Sequence, residues 1–113
     1  MRVKRGTTSR KRHKKLLALA KGYRGGRSKL VKEAKQAVIH AGADAYRGRK
    51  EKKRQMRSLW ITRLSAALSK HDISYSQFIG KLKSNKVELD RKVLSQIALE
   101  DPQAFNDLVK KIS

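Results

Sequence analysis

The sequence contains 113 residues, with 30 Lys and Arg against 9 Asp and Glu, which gives a formal net charge of +21. A chain of this length can form one small domain, or a domain with a tail, but hardly two full cores. The absence of Cys excludes disulfides, thiolate nucleophiles and Cys-rich zinc sites. The longest apolar runs, of about five residues, are too short for a membrane span of about 20 or a signal-peptide core of about 7. The composition predicts a soluble intracellular protein whose self-repulsion is neutralised by a bound polyanion.

Charge and apolar bulk are distributed unequally along the chain. Residues 1–57 contain 21 basic and 3 acidic side chains, whereas residues 58–113 contain 9 basic and 6 acidic ones. Large apolar side chains are about twice as numerous in the second segment, which includes Trp60, Phe78 and Phe105. We therefore predict a basic arm and long-helix extension over residues 1–57 and a C-terminal helical domain over residues 58–113.

The first segment is predicted to contain one short and one long helix. The short helix covers residues 8–21 and ends at the Gly-rich segment 22–26, because Gly costs about 1 kcal/mol relative to Ala inside a helix. Apolar positions then keep helical spacing, and no Pro occurs before Pro102. One helix from about residue 26 to about residue 71 is the simplest interpretation. It would be roughly 65–70 Å long, so its basic half is predicted to project from the C-terminal bundle.

Three short helices are predicted in the second segment. Ser74 and Gln77 form a predicted capping box, Asp90 is a predicted N-cap, and Asp101 is a predicted cap directly before Pro102 at the first helical position. Residues 85–86 suit the turn between the first two of these helices. The apolar positions expected to pack together are Met56, Leu59, Trp60, Leu64, Ala67 and Leu68; Tyr75, Phe78, Ile79 and Leu82; Val93, Leu94 and Ile97; and Phe105, Leu108, Val109 and Ile112. The predicted fold class is all-α: a basic N-terminal arm and long projecting helix plus a small C-terminal helical bundle.

The segment 47–57 contains seven cations in eleven residues. The usual interpretation of a charge run is a solvated helix face, but such a face interleaves Glu with Lys, and Glu51 is nearly alone here. A matrix of phosphates explains the pattern better, because each neutralised phosphate releases condensed counterions. Cations around the helix suit folded RNA, which has anions on several sides, whereas a straight DNA duplex touches one side only.

Two further features have open interpretations. Gly22, Gly25 and Gly26 allow a sharp turn or a close approach to phosphate, and Tyr23 between them either stacks on an unpaired base or packs locally. The cations of the second segment are either scattered solubilising charges or part of a binding patch, as the cluster in residues 81–86 and the free N–H groups of helix N-termini suggest.

The candidate RNA-binding residues come from both segments of the chain. They are Arg2, Lys4, Arg5, Arg10, Lys11, Arg12, His13, Lys14, Lys15, Lys21, Tyr23, Arg24, Arg27, Lys29, Tyr46, Arg47, Arg49, Lys50, Lys53, Arg54, Arg57, Arg63, Lys81, Lys83 and Lys86.

The sequence does not predict catalysis. His13, His40 and His71 are 27 and 31 residues apart, and no local His pair or carboxylate cluster has metal-ligand spacing. The segment 22–27 matches neither a phosphate-binding loop nor a dinucleotide-binding fingerprint. We therefore predict a protein that is not an enzyme and has no metal or other cofactor.

Several segments resemble the bacterial-type large-subunit ribosomal protein family number twenty. They are MRVKRG (1–6), KGYRG (21–25), AYR (45–47), RSLWITRL (57–64), ISYSQFI (73–79) and LDRK (89–92). The resemblance implies direct binding to large-subunit ribosomal RNA, a role in early subunit assembly, and neighbouring large-subunit proteins as partners. It also implies an arm and long helix that thread through RNA, and a C-terminal domain seated on RNA that in some bacteria represses its own mRNA. Glu51 departs from the family pattern, which implies a neutral or basic residue there.

The preferred prediction is a structural constituent of the ribosomal large subunit, in a bacterial cytoplasmic or an organellar ribosome. The alternative is a nonspecific DNA-compacting protein, a class that tends to have Ala/Pro/Lys-rich tails, whereas this chain has one Pro. A third class, the cationic membrane-active peptides, requires an amphipathicity that the first segment does not show.

Overall fold

The computed structural model describes residue 2 and residues 4–112. Most of these residues lie in five α-helices. They are α1 (Thr8–Leu19), α2 (Val31–Leu68), α3 (Tyr75–Ser84), α4 (Arg91–Glu100) and α5 (Pro102–Ile112), with short 3₁₀ helices at Gly25–Ser28 and Ser69–His71. No strand occurs in these described residues. The predicted all-α fold class is confirmed. Met1, Val3 and Ser113 lie outside the described residues, so only part of the MRVKRG segment is described.

The chain divides into two compact units, Met1–Lys50 and Glu51–Ser113. Helix α2, with 38 residues, begins in the first unit and ends in the second. The domain boundary that the sequence predicts, between residues 57 and 58, stays a prediction.

The long helix is shorter at both ends than expected. It begins at Val31 rather than near residue 26, because Gly25 has a left-handed φ of +60° and the next residues form a 3₁₀ turn. The Ser28 hydroxyl donates to the Gly25 carbonyl at 3.1 Å and fixes that turn. At the other end, α2 gives way to a 3₁₀ turn after Leu68, and Asp72 in the left-handed region (φ 52°) redirects the chain toward α3.

The first unit buries very little apolar surface. Among its described residues, the fully buried side chains are Ala20 and Ala34, whereas Leu19 and Leu30 are 62% and 59% exposed. Two alanines supply only a small part of the hydrophobic free energy that would offset the conformational entropy of ordering a segment of this size. The first unit therefore lacks a core of large apolar side chains in its described part, as the sequence predicts.

The second unit has a continuous hydrophobic core. Helix α5 packs on both α3 and α4, and the rings of Phe78 and Phe105 lie 5.8 Å apart, centroid to centroid, in a tilted arrangement. The buried members of this core are Leu64, Leu68, Phe78, Leu82, Leu94, Phe105, Val109 and Ile112. The apolar stripes predicted for α3 and α5, and the end of the stripe on α2, therefore meet as expected.

Part of the predicted apolar packing is wrong. Val93, Met56 and Leu59 are 39%, 37% and 40% exposed, and Trp60 is half-buried outside the core cluster. The core-facing side of α4 is centred on Leu94, so Val93 lies at its edge. Helix α2 joins the core only in its last turns, from Leu64 onward, so Met56 and Leu59 precede the part that the short helices cover.

The predicted helix caps are confirmed. Ser74 and Gln77 form a reciprocal capping box at the start of α3. Asp90 Oδ1 accepts a hydrogen bond from the Val93 amide at 2.8 Å, and Asp101 Oδ1 accepts one from the Ala104 amide at 3.0 Å.

We expect Asp90→Ala to lower the free energy of unfolding by about 1 kcal/mol, because an orphan amide at the start of α4 then loses its acceptor. Asp90→Asn serves as the control, since its side-chain oxygen retains the cap. Urea denaturation followed by circular dichroism measures both variants. Equal loss in the two variants would show that the charge matters rather than the cap.

Candidate nucleic-acid interface

The cations of α1 are presented on all sides of a short helix. Residues 10–15 are all exposed, and six consecutive residues cover more than one full helical turn of 3.6. No acidic residue precedes Glu33 in the sequence. This helix therefore offers positive charge around its circumference with no local counter-charge.

The central part of α2 carries a second dense group of cations, and residues 41–59 are all exposed. Arg47 forms an ion pair with Asp44, and the Lys50 ammonium lies 5.3 Å from the centroid of the Tyr46 ring. The remaining cations of segment 47–57 form no ion pair or hydrogen bond with another described side chain. They are available to external anions.

The loop between α1 and α2 brings Tyr23 and two arginines to one groove. Tyr23 is half-buried, and its amide donates to the Ala20 carbonyl at 3.1 Å. Gly22 permits this turn with a left-handed φ of +87°. Arg24 and Arg27 line the same groove, which has a volume of about 570 Å³.

The predicted cations of residues 58–113 lie on different elements. Lys83 and Lys86 are exposed in or beside the connection from α3 to α4, and Lys81 is half-buried on α3. Arg63 instead lines a separate groove of about 400 Å³ between the end of α2 and helices α4 and α5. The assignment of all these residues to RNA binding stays a prediction.

Sequence reasoning missed the polar residues of α2 that line the groove beside Tyr23. They are Glu33, Gln36, His40 and Asp44. Their spacing of three to four residues places them on one helix face, and that spacing is visible in the sequence. The position of the loop that faces them is not visible in the sequence, because it depends on the turn at Gly22.

A sequence model of the family described as "Ribosomal protein L20" matches residues 2–108. The chain belongs to the ribosomal protein L20 family. The resemblance found in the sequence is therefore confirmed. The predicted function is confirmed as well: a member of the L20 family is a structural constituent of the large ribosomal subunit and not an enzyme.

Curated relatives of this L20 family member match it almost from end to end. Three of them are proteins named "Large ribosomal subunit protein bL20" from Burkholderia cenocepacia (strain HI2424), Burkholderia mallei (strain SAVP1) and Burkholderia vietnamiensis (strain G4 / LMG 22486). Each is 56% identical over 111 residues, which cover 98% of this chain and 93% of the relative.

In residue 2 and residues 4–112, no group of His, Asp or Glu side chains is arranged to hold a metal ion. None of the helices in these residues is both long enough and apolar enough to cross a membrane.

Lys86 of this L20 protein occupies a position that usually favours glycine. Its φ is +54°, and it lies at the C′ position of α3. The Lys86 amide donates to the Lys83 carbonyl at 3.1 Å, and the Val87 amide donates to the Leu82 carbonyl at 2.9 Å. These two bonds form a Schellman motif, which fixes the backbone that carries the Lys86 side chain.

We expect Lys86→Gly to raise the free energy of unfolding by at most about 1 kcal/mol, because Gly removes the left-handed strain. The same change removes a cation that we predict to contact RNA, so affinity for ribosomal RNA falls. Thermal denaturation and filter binding measure the two effects. The control Lys83→Gln removes a charge without changing the strained position, so it should weaken binding with no gain in stability.

Proposed function

We propose that this protein binds large-subunit ribosomal RNA directly and supports assembly of the subunit. The observation that carries the proposal is the unbalanced charge of residues 1–57, with 21 basic and 3 acidic side chains. The cations of α1 and of the central part of α2 are exposed on several sides of their helices. Only a ligand with anions on several sides can neutralise them together, and folded RNA has that property.

The proposed mechanism is charge neutralisation with placement by the C-terminal unit. Cations of residues 2–57 displace condensed counterions from phosphates, which supplies affinity that falls steeply with salt. Arginines add bidentate contacts, whereas lysines act as mobile point charges. The apolar core of the second unit holds Arg63, Lys83 and Lys86 on folded elements, and these cations fix the orientation on the RNA.

A binding competition tests this proposal against the DNA-compacting alternative. The full chain is bound to labelled, deproteinised large-subunit ribosomal RNA at about 0.15 M salt, and competitors are duplex DNA and unlabelled ribosomal RNA of equal nucleotide concentration. We expect ribosomal RNA to compete at least about tenfold better, which is a low threshold because specific binding typically exceeds nonspecific binding by about 1,000-fold or more. Equal competition by duplex DNA would refute the proposal.

We infer a second RNA partner, the chain's own mRNA, which would be bound by the C-terminal unit. This unit has its own hydrophobic core and presents the left-handed Lys86 beside Lys83. Translation of this mRNA in a cell-free system should fall when the full chain is added, and an unrelated mRNA is the control. Equal effects on the two messages would refute autoregulation.

We also propose the bacterial cytoplasmic ribosome as the location, because the relatives described above come from bacteria. An organellar ribosome is the alternative. Fractionation of the source cells, followed by detection of the chain in large-subunit particles from each compartment, distinguishes the two.

A further inference from the structure

The groove beside Tyr23 differs chemically from the rest of the basic segment. One wall is the loop with Gly22, Tyr23, Arg24 and Arg27, and the other is one face of α2. The α2 residues on that wall are Glu33, Gln36, Ala37, His40, Ala41 and Asp44. Its volume of about 570 Å³ falls within the range of small-ligand sites, roughly 300–1,000 Å³.

The groove holds two of the three acidic side chains in residues 1–57, Glu33 and Asp44. Asp44 is paired with Arg47. Glu33 is exposed, and its carboxylate forms no hydrogen bond or ion pair with another described residue. A carboxylate repels phosphate, so a free carboxylate here does not suit a groove that binds only the RNA backbone.

A nucleobase matches this lining better than a phosphate does. The half-buried Tyr23 ring offers a stacking surface, which contributes about 1–3 kcal/mol per base where stacking occurs. An ionised carboxylate has two acceptor oxygens and no donor. Among the four RNA bases, only guanine presents two adjacent donors on its Watson–Crick edge, the N1–H and an N2–H. Arg24 and Arg27 in the same groove would bind the phosphates on either side of that base.

We propose that this groove is a subsite for one unpaired guanosine of the bound RNA. Tyr23 stacks on the base and the Glu33 carboxylate accepts from guanine N1–H and N2–H. The inference rests on the proposed function, because it requires that the protein bind ribosomal RNA.

Glu33 has a simpler competing role. It lies in the first turn of α2, where a carboxylate interacts favourably with the helix dipole. If that were its whole role, removing its charge would reduce repulsion from RNA and raise affinity. The subsite predicts the opposite sign, because Glu33→Gln replaces one acceptor oxygen by an NH₂ donor that faces the donor edge of guanine.

The chain contains a matched control at Glu51. This residue is also an exposed acid on α2, but it does not line the groove. Glu51→Gln should therefore raise the affinity for ribosomal RNA slightly, through lower repulsion. Glu33→Gln should lower it by about tenfold, within the discrimination expected for a bidentate base contact. Circular dichroism of the free variants checks that both retain the same helix content.

Chemical footprinting distinguishes the subsite from general RNA binding. Deproteinised large-subunit ribosomal RNA is treated with kethoxal, which modifies N1 and N2 of unpaired guanines, with and without the full-length protein. We expect one guanine to be protected by the wild type, Glu51→Gln and Tyr23→Phe, but not by Glu33→Gln or Tyr23→Leu. Other protections should persist in all variants.

Two results would overturn the inference in different ways. If Glu33→Gln binds as tightly as Glu51→Gln and every guanine protection survives, the subsite is wrong while RNA binding stands. If the wild type neither binds nor protects ribosomal RNA, the proposed function fails and the subsite fails with it.

Discussion

Replacing Arg49, Lys50, Lys53 and Arg54 together by Gln is expected to lower the affinity for large-subunit ribosomal RNA by about 100-fold at 0.15 M salt. All four are exposed in the central part of α2. The slope of log affinity against log salt concentration is negative, and each lost phosphate contact makes it shallower by about 0.7–0.9. Loss of four contacts should therefore make the slope shallower by about 3. Filter binding over a range of salt concentrations measures both quantities.

The control for this variant removes the same charge elsewhere. Lys70, Lys92, Lys110 and Lys111 are also exposed, lie outside the α2 run and are not among the candidate contacts. Their combined replacement by Gln should lower affinity by less than about fivefold, as expected for charges that attract RNA only at a distance. Equal losses in the two variants would mean that net charge, rather than the α2 run, determines binding.

Phe105→Ala is expected to lower the free energy of unfolding of the second unit by about 3–5 kcal/mol. Phe105 is 1% exposed and contacts the Phe78 ring in the centre of the core. Small domains are stable by only about 5–15 kcal/mol, so much of the total would be lost. Trp60 is the only Trp in the chain and lies in this unit. Its fluorescence during urea denaturation reports the change.

Leu99→Ala is the matched control for the core. Leu99 is a large apolar residue of the same unit but is 57% exposed, so its truncation should change stability by no more than about 0.5 kcal/mol. A Phe105→Ala variant as stable as Leu99→Ala would contradict the core described for this unit.

Much of the C-terminal fold could be predicted because its signals are local. The capping box at Ser74 and the caps at Asp90 and Asp101 each depend on residues three or fewer apart. Apolar spacing also identified Phe78 and Phe105 as core residues. Spacing alone did not show where the core ends along α2, which depends on how far the short helices reach; hence Met56 and Leu59 were wrongly expected to be buried.

The candidate site was predictable in its charge but not in its arrangement. The excess of Lys and Arg is a property of composition, so the basic helices required no structure to find. The left-handed conformation of Lys86 could not be anticipated, because Lys rarely adopts it. Likewise, the groove that brings Glu33 and Tyr23 to one place depends on the turn at Gly22.

Hydrogen exchange with and without ribosomal RNA tests most directly whether RNA orders the basic segment. Its described residues bury only Ala20 and Ala34 completely, so the amides of residues 4–57 should exchange rapidly in the free protein, whereas those of the C-terminal core are protected. Binding to large-subunit ribosomal RNA should slow exchange throughout residues 4–57. Strong protection of this segment in the free protein, unchanged by the RNA, would contradict coupled ordering and binding.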